Sequence, residues 1–152
     1  MRGVERAAER DVDLLQLDRQ VCFGLAVAAR NVIALYRPLL EPMGLTHPQY
    51  LAMLALWERS PRSVGELASV LALDPGTLSP LLKRLESTGL ITRRRVPGNE
   101  RSLAVSLTDE GRELRARAER IPPAIVETLG MELAELEDLR AVLDRVIDAA
   151  RR

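Results

Sequence analysis

The chain has 152 residues, with 22 Lys plus Arg balanced by 22 Asp plus Glu, so its formal net charge is zero. A chain this neutral is not a polybasic binder over its whole surface, and any nucleic-acid face must be a local patch offset by acid elsewhere. One cysteine and one histidine exclude an intrachain disulfide, a thiolate metal cage and most His-ligated metal centres, and no cofactor is implied. Hydrophobic residues at 47% against 29% charged ones indicate one folded unit. Its core is aliphatic, because Phe23, Tyr36, Tyr50 and Trp57 are the only aromatics. The first 19 residues are too charged for a signal peptide, and no apolar run approaches the ~18 residues that span a bilayer. A cytoplasmic protein with a free thiol and no membrane contact is expected.

In chain order, residues 1–13 are charged and expected to fray. From Leu14 to Leu40 apolar residues recur at helical spacing on two adjacent stripes, one of them carrying Cys22, Ile33 and Tyr36. So wide an apolar face requires cover from two sides, its own domain and a second subunit. Pro38 should bend or end this helix, before the breakers of Glu41–Gly44. Thr46 caps the next helix, which has Pro48 just inside it and ends at Ser60-Pro61-Arg62. Ser63 followed by Glu66 is a capping-box signature for a short third helix. Asp74-Pro75 starts a fourth, with Leu78, Leu81, Leu82 and Leu85 as its buried stripe and Gly89 as its C-terminal stop.

The period then changes to two. Residues 90–94 and 102–107 read as strands joined by the Pro97-Gly98-Asn99 turn, with Leu103, Val105 and Leu107 pointing inward. Thr108 opens a helix to about Arg120, Pro122-Pro123 breaks it, and Leu129 to Val146 mark a long closing helix. The fold class is thus mainly α with a small β-hairpin wing. Helix, short turn, helix and hairpin is the winged helix-turn-helix order, over residues 46–120. Residues 14–41 and 124–150 form a helical dimerisation region.

In this arrangement the helix from Asp74 enters the major groove of double-stranded DNA. Asp74, Pro75, Thr77, Ser79 and Pro80 lie in its first turns, with Lys83 and Arg84 one turn on. Small hydroxyl residues allow close approach, while the cations suit phosphates or, for Arg84, guanine. Arg94, Arg95 and Arg101 flank the hairpin. Residues 62–101 hold seven cations against four acids, a local +3 in a chain of net zero. Arg93-Arg94-Arg95 taken alone could equally be a solvated strand end; the groove-reading helix beside it favours DNA.

These segments carry a family resemblance. SVGELA over Ser63–Ala68, LDPGTLSPLLKRLESTGLI over Leu73–Ile91, and LTDEG over Leu107–Gly111 resemble the MarR family of winged-helix regulators, over about residues 14–150. Gln20–Phe23, Tyr36–Leu40, Gln49-Tyr50 and Trp57-Glu58 resemble its organic hydroperoxide resistance branch. The resemblance implies a homodimeric repressor on a pseudo-palindromic operator, released when a cysteine is oxidised by organic hydroperoxide. It implies Cys22 and Tyr36 as sensor residues. His47 stands where the branch carries a tyrosine, and Asn99-Glu100-Arg101 replaces the family's Asp-x-Arg wing tip.

A lone cysteine in an apolar stripe is first of all a small core residue. Reactivity requires hydrogen-bond donors or positive charge near sulfur. Tyr36 is 14 residues from Cys22, ~21 Å along one helix yet within ~40° of the same face. Antiparallel helices of a two-fold dimer would bring Tyr36 of one subunit to Cys22 of the other. His47 would then be a second donor to sulfur or a surface residue before a proline. With no resolving thiol in the chain, a sulfenic acid would pass to a mixed disulfide with a small thiol, to a sulfenamide or to overoxidation. Two alternatives stand beside the peroxide sensor: a MarR-type repressor released by a small aromatic or phenolic ligand, with Cys22 incidental, and a thiol peroxidase. No peroxidase motif surrounds the thiol, so an enzyme is not expected.

Overall fold

The computed structural model describes residues 13–151, without the side chains of Glu100 and Arg101. The fraying expected of residues 1–12 therefore lies outside the described residues. The chain divides into two units, Met1–Leu35 and Tyr36–Arg152.

In the first unit a 3-10 turn over Leu17–Arg19 precedes helix α1 (Val21–Leu40), which runs on into the second unit. One continuous helix from Leu14 is not observed. Gln20 has extended backbone, and its side-chain amide donates to the carbonyls of Leu14 (2.6 Å) and Gln16 (3.1 Å). The Gln16 carbonyl also accepts the Arg19 N–H of the 3-10 turn (3.1 Å), so the side chain adds a local bond where the α-helix has not yet begun. No described residue of this unit is buried. Pro38 does not end α1, which continues to Leu40. Together with the 3-10 turn Glu41–Met43, the stretch Val21–Met43 is long and apolar enough to cross a membrane by length and composition, contrary to the sequence expectation. It also carries Arg30, Asn31 and Arg37.

The second unit contains α2 (His47–Glu58), β1 (Arg62–Ser63), α3 (Val64–Leu71), α4 (Pro75–Ser87), β2 (Ile91–Val96), β3 (Asn99–Leu107), α5 (Asp109–Ala118), α6 (Ile121–Leu129) and α7 (Leu133–Ala150). The expected caps form. Thr46 and Gln49 make a reciprocal capping box at α2. The Ser63 hydroxyl accepts from the Glu66 N–H, although the Glu66 carboxylate turns to Arg59 and leaves the box half made. Helix α4 ends in a Schellman arrangement: the Leu90 N–H reaches the Leu85 carbonyl (3.1 Å), with Gly89 at φ +80°.

The sheet has three antiparallel strands in the order β1-β3-β2. The two-residue β1, which pairs Arg62 with Val105, is too short to leave a periodic signal. Two expectations fail after the wing. Pro122-Pro123 opens α6 instead of only closing α5, because proline in a first helical turn loses no hydrogen bond. Gly130, at φ +62°, divides the expected closing helix, so Leu129 belongs to α6. The core is aliphatic as expected, with Met53, Leu56, Leu67, Leu78, Leu82, Leu85, Ile91 and Val105 fully buried among its members.

Candidate nucleic-acid interface and sensor residues

Helix α4 starts where Asp74 caps it. The Asp74 carboxylate accepts from the Thr77 N–H (2.8 Å) and the Thr77 hydroxyl (2.9 Å), and these bonds hold its acid below the usual range. Pro75 occupies the first turn without sacrificing a donor. Leu78, Leu81, Leu82 and Leu85 anchor one face. Asp74, Pro75, Thr77, Ser79, Pro80, Lys83 and Arg84 are all exposed on the remainder. The thirteen residues thus form an anchored helix with a small-residue first turn and two cations beyond it.

Behind this helix, β2 and β3 form the wing. Val96 and Asn99 pair across Pro97-Gly98, and Gly98 at φ +86° takes the left-handed position that this turn requires. Arg94 and Arg95 are exposed, while Arg101 lies in β3 with its side chain outside the described residues.

Among the described residues, Arg62 and Arg93 of the cations counted along this segment are drawn into bonds within the domain. Arg62 is buried, donating from Nε to the Ala55 carbonyl (2.9 Å). Arg93 grips Glu86 through its backbone N–H (3.1 Å), Nε (3.4 Å) and Nη2 (3.2 Å), and this bonding lowers the Glu86 acid. Neither commitment is visible in charge counting. The Glu86–Arg93 contact depends on the turn that folds β2 back along α4.

The wing and helices lock together at one joint. The Thr108 hydroxyl donates to the Gly89 carbonyl (2.6 Å) and accepts from the Gly111 N–H (3.0 Å). Trp57 Nε1 donates to the Gly111 carbonyl (2.8 Å).

The sensor candidates fall in both units. Cys22 is exposed in the first. In the second, Tyr36 and His47 meet edge to face with ring centroids 5.0 Å apart, and Tyr50 lies 5.7 Å from Tyr36 and 6.4 Å from His47. Burial lowers the His47 imidazole and raises both phenols, Tyr50 being raised further by Tyr36. Tyr50 was not among the sequence candidates. Its signal was the three-residue step from His47, which puts both on one face of α2.

The MarR family model matches residues 45–103. The organic hydroperoxide resistance transcriptional regulator of Bacillus subtilis is 43% identical over 132 residues, covering 87% of this chain and 88% of the relative. The chain belongs to the MarR family.

MarR-family structures reproduce its fold. The reduced AbfR of Staphylococcus epidermidis bound to DNA superposes with a TM-score of 0.77 at 32% identity, over 89% of this chain and 92% of AbfR. AbfR has also been solved in an overoxidized form bound to DNA and in a disulfide form. PcaV of Streptomyces coelicolor, in complex with its natural ligand, aligns at a TM-score of 0.79 over 90% of this chain and 97% of its own. At 24% identity that likeness is one of fold. The chain is therefore a transcriptional regulator of the winged-helix type, in a family of DNA-binding proteins.

Proposed function

We propose that this MarR-family regulator is a homodimeric repressor, acting on a pseudo-palindromic operator in the cytoplasm, which releases DNA when an organic hydroperoxide oxidises Cys22. The observation that carries the reading is the near full-length 43% identity to the hydroperoxide resistance regulator, in a chain whose single cysteine is exposed on α1. The AbfR structures, solved reduced and oxidised, support redox control in this fold.

The chemistry is stoichiometric. The Cys22 thiolate attacks one peroxide oxygen, the O–O bond breaks, and the alkoxide leaves as the alcohol, giving a sulfenic acid. A small thiol then condenses with it, releasing water and leaving a mixed disulfide. Tyr36 and His47 of the partner subunit are assigned as donors to the sulfur. Asp74 holds the groove helix in shape; Pro75, Thr77, Ser79 and Pro80 approach the bases. Lys83, Arg94 and Arg95 meet phosphates, Arg84 meets phosphate or guanine, and Arg101 enters the minor groove at the wing tip. Residues 14–41 and 124–150 form the dimerisation region and residues 46–120 the DNA-binding domain. The exposed Val21, Ile33, Leu139 and Val142 support a second copy over α1 and α7.

The deciding experiment titrates Cys22→Ser and wild type, each with and without cumene hydroperoxide, against a duplex selected from a random library by the reduced protein. Serine preserves the packing and has no comparable oxidation chemistry. The variant is expected to hold the duplex in peroxide while wild type releases it. Equal release by both overturns the sensor reading and favours the ligand-responsive alternative.

A further inference from the structure

We infer that Glu86 is a positioning residue for DNA recognition: its carboxylate ties the first wing strand to the groove helix, so that the two meet DNA as one reading head. The inference rests on the reading that α4 and the wing contact DNA. Glu86 lies in the last turn of α4 and Arg93 is the third residue of β2. Three donors of Arg93 converge on the one carboxylate, two from the guanidinium and one from the backbone. The backbone bond matters because it fixes the strand itself, not merely a side chain. Arg93 stands opposite Val105, and both Val105 and Ile91 are fully buried, so the strand is held on its other contacts by the core. The Glu86 clamp thereby connects a core-anchored strand to a core-anchored helix at the edge where both turn toward solvent.

Charge alone assigns Glu86 the opposite effect. An acid on a phosphate-binding face weakens DNA binding, and it also occupies Arg93, which would otherwise neutralise a phosphate. Removing the charge should then tighten every duplex and steepen the salt dependence. If Glu86 instead sets the angle between helix and wing, removing it loosens the geometry on which sequence reading depends, while phosphate attraction is kept or strengthened. The two effects differ in sign on a specific site, so one measurement separates them.

The test compares Glu86→Gln and Arg93→Lys with wild type, as reduced full chains, on the selected duplex and on a scrambled duplex of the same composition. Glutamine keeps the size of the side chain, and lysine keeps the cation without the guanidinium fork. Both variants are expected to lose about tenfold on the selected duplex, while binding to the scrambled one stays unchanged or tightens. The ratio between the duplexes is the readout that simple destabilisation does not move, and circular dichroism checks the fold. Equal changes on both duplexes, in either direction, overturn the inference. Failure of the wild-type chain to enrich any duplex overturns the recognition reading beneath it.

Discussion

His47 shows how much a single side chain's meaning depends on its neighbours. From the sequence it is a lone histidine before a proline, read either as a donor to the Cys22 sulfur or as a surface residue. Folded, it packs against Tyr36 and Tyr50, and burial holds its imidazole below the ordinary value of 6.5. The unfolded chain therefore binds more protons than the folded one between the lowered value and 6.5, so stability rises with pH across that window and falls on acidification. His47→Gln removes the titration. Wild type is expected to lose stability relative to this variant between about pH 7.5 and pH 5, measured by urea unfolding at each pH. Parallel stability curves for the two proteins would place His47 in solvent-like surroundings. Tyr36 entered as a sensor candidate through the family resemblance, whereas Tyr50, although part of the same resemblance, was given no role. A three-residue step predicts a shared face, but not which partner fills it.

The elements were easiest to read where a side chain completes a backbone hydrogen bond locally. Thr46, Ser63, Asp74 and Thr108 all cap helices in the structure, because the N–H they accept from lies only three residues away. Reading was hardest at prolines. A proline lacks the same donor whether it closes one helix or opens the next, and the burial of Ile121 and Ile125 gives α6 its separate anchor. Gly111 belongs to this scale as well. The sequence presents it only as part of the turn after the wing, yet a Cβ there would stand 2.2 Å from the Leu90 carbonyl oxygen. The close approach of α5 to the end of α4 thus requires glycine. Gly111→Ala is expected to cost ~3 kcal/mol, because both colliding groups are backbone-bound and cannot rotate aside. Thermal unfolding measures the loss, and a cost within ~0.5 kcal/mol of zero would show that the joint yields freely.

For the whole molecule, the apolar faces of the terminal helices set the prediction. Leu139, Val142 and Val146 follow one face of α7 and remain 47%, 51% and 38% exposed in a helix with no buried residue. A second copy of the chain is the occupant proposed for them. Leu139→Glu places a charge in that face and is expected to yield a monomer in sedimentation velocity at micromolar concentration. With only one groove helix per particle, affinity for a two-half-site duplex should fall by ~100-fold. A variant that stays dimeric would move the interface away from α7.

The sequence by itself determined the order of elements from α2 to α5, β1 apart, with their caps and the aliphatic core, since periodicity and capping act over three or four neighbouring residues. It also carried the family, through SVGELA, the α4 segment Leu73–Ile91 and LTDEG. What only tertiary structure decided was the use of charge and aromatic surface: Arg62 on the Ala55 carbonyl, Arg93 on Glu86, and His47 against Tyr36. Each joins residues from different elements, and a composition count gives every arginine the same weight. Folding withdraws Arg62 and Arg93 from the count and leaves Arg94 exposed beside them in sequence, because strand alternation and the turn after α4 send neighbouring side chains to different partners.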